Sequence, residues 1–326
     1  MIKNGDDVTD VDTSSLTDMS GLLRDMEQFN QDISRWDVSN VTNMTEMFRM
    51  AESFNQPIGN WDVSNVKTMK EMFYGAKAFN QDISQWDMSG VKSTTGMFTK
   101  AESFNQPIGN WNVGKVNHMH WMFWDAKSFN QDLSGWDVSR VINMASMFKN
   151  AESFNGDVTT WDTSRVKYME SMFAGARSFN QPIGRWNVSR CVDMNGMFSG
   201  AKAFNQPIGD WNVSRCVDML FMFDGATSFN QPVGNWNVLK CEDMSYMFSE
   251  ASAFNQPIEN WDIDNAIITN MLSDADEFTY KLKIIMKFAD PIRAALMIFN
   301  KDVHQLLDKH DMDKLTKFIK VQQINS

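Results

Sequence analysis

Six cations stand in register in this sequence. Lys115, Arg140, Arg165, Arg190, Arg215 and Lys240 follow one another every 25 residues, where the earlier part of the chain has Asn40, Asn65 and Gly90. If segments 25 residues apart lie side by side at the usual strand spacing of about 4.8 Å, the six form one column. Like charges so arranged repel unless solvent or counter-charges relieve them. Asp137 and Asp162, three residues before Arg140 and Arg165, are placed to relieve two of them. Two readings stand: a solvated edge with partial pairing, or a dock for an acidic partner.

His118, His120, Trp121 and Trp124 make a second cluster. The two tryptophans occupy places that are polar in most other copies of the pattern, and Phe221 and Tyr246 recur at the place of Trp121. Exposed tryptophan beside histidine is the composition of a protein-contact hot spot; packing on an adjacent segment is the alternative. His118-x-His120 lacks a third ligand at a spacing suited to a metal. Cys191, Cys216 and Cys241 are again 25 residues apart, a spacing that fits neither a zinc site nor a disulfide framework. They read as small buried hydrophobes kept reduced. The Asp or Asn after each repeated tryptophan (Asp37, Asp62, Asp87, Asn112 and onward) is in register too. The glycine-rich nonapeptide of a calcium ladder is absent, so local turn bonding is the expectation. No nucleophile elbow, phosphate loop or metal motif occurs, and no cofactor is expected.

The elements that must position these residues follow from one period. A Phe-Asn pair recurs ten times, from Phe29-Asn30 to Phe254-Asn255, and a tryptophan ten times, from Trp36 to Trp261. A fixed period of this length marks a stacked repeat, in which each unit buries its apolar face only against its neighbours. Trp61-x-Val63 has the two-residue step of a short strand. Met44, Met47, Phe48 and Ala51 fall at i, i+3, i+4 and i+7, one face of a helix of about two turns. Asn43, Thr68, Ser93, Asn143, Asp193, Asp218 and Asp243 stand where that helix would be capped, and Thr68 with Glu71 would form a capping box. Gly75, Gly175, Gly200, Gly225, Asn150 and Asp125 stand where it would end in a left-handed residue. The repeated asparagines are expected to hydrogen-bond along the stack as a ladder.

The stretch Ile58-x-x-Trp61-x-Val63-x-x-Val66-x-x-Met69 resembles the cysteine-containing class of leucine-rich repeats, with Cys191, Cys216 and Cys241 at the ninth place. The wording FNQPIGNWDVSNVTNM, followed by MF and A, closely resembles the BspA-like leucine-rich-repeat proteins over about residues 11 to 278. That resemblance implies a non-enzymatic, repeat-built protein used for adhesion or protein contact. Family members occur as bacterial surface lipoproteins and in protists and large DNA viruses.

The expected fold is therefore an α/β repeat solenoid, a leucine-rich-repeat-like stack of about ten 25-residue coils, each a short parallel strand plus a short helix. Residues 1–28 would form a polar segment and capping half-repeat, with Val11, Leu16, Met19, Leu22 and Leu23 in the apolar places. Residues 29–278 would form the solenoid. Residues 279–326 would form a C-terminal helical cap or docking module, with helices near Thr279 to Phe288, after Asp290-Pro291, and from about Asp313. The second helix would bury Ile292, Leu296, Phe299, Val303 and Leu306, and oligomerisation through these helices is a further expectation.

Hydrophobic residues make up 43% of the chain, enough for a continuous core, and its net charge of −11 argues against a large nucleic-acid interface. No run of 18 apolar residues occurs, so no membrane span is expected. The opening MIKNGDDVTD carries no signal-peptide or lipid-anchor pattern. These features fit an intracellular (cytoplasmic) protein; together with what the resemblance implies, the expectation is an intracellular or virion-associated scaffold for protein–protein contact, with a surface adhesin of the BspA-like type the alternative and an enzyme the third.

Overall fold

A computed structural model of the chain describes residues 7–275, 281–285, 287 and 291–325. The repeat region is a solenoid. Ten parallel bridges run in one line from Asp18 through Asn43, Thr68, Ser93, His118, Asn143, Tyr168, Asp193, Asp218 and Asp243 to Ile267. Each joins a coil to the next, so eleven coils are stacked.

Among the described residues, the coils contain no strand longer than a bridge and no α-helix; Ile183–Arg185 forms a single 3-10 turn. This corrects the expected strand-plus-helix coil. Each coil is instead a chain of turns closed three residues apart. Trp61 N–H donates to Ile58 O (3.2 Å), Val66 to Val63 (2.9 Å), Met72 to Met69 (3.2 Å), Ala76 to Phe73 (3.0 Å) and Phe79 to Ala76 (3.1 Å). Between these turns, every second amide reaches the next coil: Met44 N–H to Thr68 O (3.1 Å), Glu46 to Lys70 (2.8 Å), Phe48 to Met72 (2.9 Å) and Met50 to Tyr74 (2.7 Å).

Two left-handed residues per coil, such as Glu46 (φ 56°) and Met50 (φ 57°), turn these amides outward. A helix would have closed them onto its own carbonyls. A two-turn helix is too short to hold itself, and the neighbouring coil offers acceptors at every second residue. The expected buried face survives the change, since Met44, Met47, Phe48 and Ala51 are all fully buried.

The expected capping residues act in turns: Asn43 Oδ1 accepts the Thr45 N–H (3.0 Å), and Asp218 Oδ1 accepts the Leu220 N–H (2.9 Å). The expected capping box does not form, because Glu71 pairs with Arg49 and Lys70.

The core is columnar. Phe123 stacks on Phe129 at 4.0 Å within a coil and on Phe148 at 5.5 Å in the next. Trp136 lies parallel to Trp111 (6.5 Å) and Trp161 (6.3 Å), and its indole N–H donates to Ile108 O (2.9 Å). The asparagine ladder runs from side chain to main chain: Asn30 Oδ1 accepts the Asn55 N–H (2.9 Å) and the Gln56 amide (3.0 Å).

The two ends differ. In the first coil Met19 and Leu23 are buried, but Val11 and Leu16 are 46% and 36% exposed, so they do not fill their expected core places. At the other end the period loses one residue, for Asp243 pairs with Ile267 where earlier bridges join residues 25 apart.

Helices follow the last coil: α1 (Lys281–Ile285), α2 (Pro291–Phe299), α3 (Val303–Leu306) and α4 (Lys309–Asn325). The expected helix limits Thr279 and Phe288, the Asp290 cap, the last repeat phenylalanine Phe278 and the Val303 side chain lie outside the described residues. The last carbonyls of a helix have no partner within it, and here they cap the solenoid. Asn270 N–H donates to Met297 O (2.5 Å) and Leu272 N–H to Ile298 O (2.9 Å).

The face of α2 also differs from expectation. Pro291, Ala294, Ala295, Ile298 and Phe299 are buried, whereas Ile292 and Leu296 are 48% and 49% exposed. The small alanines let the helix lie close on the coil, which turns the larger pair outward.

Candidate contact surfaces

The cation column sits on a tight turn. In each coil an amide such as Val66 N–H closes onto Val63 O, and the third residue of that turn carries the column. All six side chains, Lys115, Arg140, Arg165, Arg190, Arg215 and Lys240, are exposed, and none makes an ion pair or hydrogen bond among the described residues. Asp137 and Asp162 do not pair with Arg140 and Arg165; each accepts the N–H two residues on, from Ser139 and Ser164 (both 3.0 Å).

The same turn bond repeats after most of the column tryptophans and explains the alternation of Asp and Asn there. Hydrogen bonds from Ser139 to Asp137, and from Ser39 to Asp37, hold those carboxyls below their ordinary value of 3.8. They stay ionised without touching the column.

The column borders a cavity of about 740 Å³ lined by Lys167, Tyr168, Ser189, Arg190, Val192, Asn212, Ser214 and Arg215. Sequence reasoning found the arginines but missed Lys167 and Tyr168. Their place beside the column depends on the turn at Arg165, which lets a residue two positions on share its face. Tyr168 occupies the bridge line and is 41% exposed. On the next three coils that line carries Asp193, Asp218 and Asp243, turned to the N–H groups of Asn195, Leu220 and Ser245. Burial raises the Asp193 carboxyl above its ordinary value, with Asp218 adding to the effect. Three cations, Lys167, Arg190 and Arg215, thus line one cavity.

The second cluster lies on the neighbouring face, formed by the inter-coil turns. Trp121 is 42% exposed and Trp124 half-buried. His120 meets Trp121 edge-on at 4.9 Å, the two tryptophan rings are 6.4 Å apart, and Lys149 Nζ lies 5.6 Å over Trp124. Among the described residues the Trp124 indole N–H and His120 Nδ1 have no hydrogen-bond partner. Burial, then His118 and Lys70, push the His120 imidazole below its ordinary 6.5, so it is neutral near pH 7.

Among the described residues Trp121 is one of three aromatics in the left-handed conformation, with φ values of 64° at Trp121, 58° at Phe221 and 55° at Tyr246. Gly96 and Gly196 hold the same place in other coils. Among the described residues no group of three or more His, Cys, Asp or Glu side chains is arranged to hold a metal.

The cysteines are core residues. Each is buried, with Cys191 and Cys216 donating to Asp193 O and Asp218 O (3.2 Å each) and Cys241 to Asp243 O (3.3 Å). Burial pushes the Cys191 and Cys241 thiols up to about 12 and Cys216 well above 9.0. All three are therefore expected to react with thiol reagents only as the protein unfolds. Labelling of the native protein as fast as that of an exposed thiol would contradict their inward placement.

Three segments, residues 2–111, 95–196 and 181–285, match the family described as "Mycoplasma protein of unknown function, DUF285", and together they cover most of the chain. The chain belongs to the DUF285 family. No curated protein matches it. A solved structure described as the crystal structure of a TLR13–ssRNA13 complex aligns over 74% of this chain and 45% of its own, at 9% identity and a TM-score of 0.21. The DUF285 chain thus spans less than half of that protein, and so weak a likeness bears on neither fold nor function. No helix among the described residues is long and apolar enough to cross a membrane.

Proposed function

We propose that this DUF285 solenoid is a non-enzymatic scaffold for protein–protein contact, of the BspA-like leucine-rich-repeat kind and intracellular or virion-associated, and that it takes an acidic partner along the Lys115–Lys240 column. The observation that carries the reading is the exposure of six in-register cations, none of them in an ion pair among the described residues, on a protein of net charge −11. Asp137 and Asp87 offset Arg140 and Lys115 in part; repulsion within the rest of the column costs stability, and an anionic partner relieves it. Trp121 and Trp124 supply an aromatic contact on the adjoining face, of the type that dominates protein interfaces. The non-enzymatic reading is supported by the cavity beside the column, whose lining has no carboxylate or imidazole to serve Ser189 or Ser214 as a base.

The test replaces Arg165, Arg190 and Arg215 with Gln and measures binding of an acidic polypeptide, poly-glutamate, at low and physiological salt. At about 0.5 kcal/mol for each exposed charge pair, the triple variant should bind roughly tenfold more weakly. Its thermal midpoint should hold or rise. Equal binding by parent and variant would reduce the column to a solvated edge.

A further inference from the structure

The two ends of the solenoid are complementary to each other. At the first coil the carbonyls of Asp18, Ser20, Leu22 and Arg24 occupy the row that, one coil later, accepts Met19, Gly21, Leu23 and Asp25 N–H through Asn43, Thr45, Met47 and Arg49. Among the described residues none of the four accepts a hydrogen bond. The same coil carries exposed carboxylates, among them Asp7, Asp12 and Asp18, and the exposed apolar side chains Val11 and Leu16. Residues 1–28 hold seven acidic against two basic side chains. This end offers hydrogen-bond acceptors, negative charge and two apolar side chains.

The opposite end has the converse chemistry. α2 closes the solenoid with its carbonyls and buried face, so its other face, Ile292, Arg293 and Leu296, looks away from the stack. Residues 281–326 hold nine basic against five acidic side chains, within a chain whose net charge is −11. Arg293, Lys309 and Lys317 are exposed. Lysine and arginine side chains only donate hydrogen bonds, whereas carbonyls and carboxylates accept them. Ile292 and Leu296, one helical turn apart, match Val11 and Leu16 in kind.

We infer that the occupant of each end is the opposite end of a second copy of this chain, so that the protein associates head to tail through the Val11–Leu16 surface and the outer face of α2. Such an interface is heterologous. Each copy keeps one free end after pairing, and assembly continues into an open series unless the rotation between copies closes a ring. The contact is independent of the cation column and of any acidic partner.

The test is sedimentation velocity of the full chain over a range of concentrations, at about 0.05 M and about 0.5 M salt. The parent should show species beyond the dimer at low salt, and the association should weaken severalfold at high salt as screening shortens the reach of the charges. Two variants separate the ends. Val11→Lys with Leu16→Lys alters only the first coil, and Ile292→Glu with Leu296→Glu only the outer face of α2. All four side chains are at least a third exposed, so circular dichroism and the thermal midpoint should match the parent. Each variant alone should be monomeric. A mixture of the two should form one-to-one dimers and nothing larger, because one good end of each kind remains. A parent that stays monomeric at millimolar concentration overturns the inference. So does a Val11→Lys, Leu16→Lys variant that still dimerises alone, since that would make the contact a symmetric one between caps.

Discussion

Replacing Trp136 with alanine is expected to lower the unfolding free energy by about 3–5 kcal/mol. The side chain is 3% exposed, lies parallel to Trp111 and Trp161, and gives its indole N–H to Ile108 O. Alanine leaves a cavity between two coils and removes one of the two hydrogen bonds that Ile108 O accepts, the turn bond from Trp111 N–H (3.1 Å) remaining, so the cavity is the main loss. Neighbouring coils resist collapse into the gap, because their spacing is set by hydrogen bonds above and below. The solenoid is one-dimensional, so the weakened step should divide its unfolding into two parts rather than abolish the fold. Chemical denaturation should show a lower midpoint and a less cooperative transition. Trp121→Ala supplies the contrast. That ring is exposed and its backbone left-handed, so its loss should cost no more than about 0.5 kcal/mol. Equal effects at the two positions would mean that the tryptophan column does not organise the core.

What the sequence made legible here was burial, and what it concealed was backbone. Phe, Trp and Met columns could be assigned because a 25-residue period gives ten independent statements of the same inward place. A helix and a chain of turns both put i, i+3, i+4 and i+7 on one side, so Met44, Met47, Phe48 and Ala51 did not distinguish them. The discriminating feature is the pair of left-handed residues in each coil. Glycine marks it at Gly96, Gly75 and Gly200, but Glu46, Met50, Lys100 and Trp121 adopt the same conformation. Their residue types give no sign of it; inter-coil hydrogen bonds hold them there. The same limit applies to the cap. Ile292 and Leu296 read as its apolar face, yet the coil beneath selected the stripe containing Ala294 and Ala295, which admits close approach.

The contact surfaces divide similarly. A column of identical charge needs only the period to be seen, and its six members are exposed where the spacing placed them. Contacts between columns need the turn geometry. Lys167 and Tyr168 beside Arg190 and Arg215 could not be read from spacing, nor could Arg49 and Lys100 at 4.2 and 5.7 Å from the Tyr74 ring. Glu71 looked like a helix-capping residue and proved to be the counter-charge of Arg49.

Phe299→Asp is the second large effect expected. Phe299 is 1% exposed at the end of α2, where the preceding two carbonyls receive Asn270 and Leu272 N–H. A carboxylate there must be buried without a partner or carried out to solvent, and exit is the cheaper course. The helix then leaves the last coil, and the two amides lose their acceptors. The loss at this end should reach about 3–5 kcal/mol, comparable with emptying a large aromatic site. In a stack held by nearest neighbours the damage should remain local. Hydrogen exchange should therefore quicken at Asn270 and Leu272 and in the coil that contains them, while Phe123 and Phe148 amides, donating to Met147 and Met172, keep their protection. Uniform loss of protection along the chain would show that the cap governs the whole solenoid. Unchanged exchange at Asn270 and Leu272 would show that α2 does not hold them.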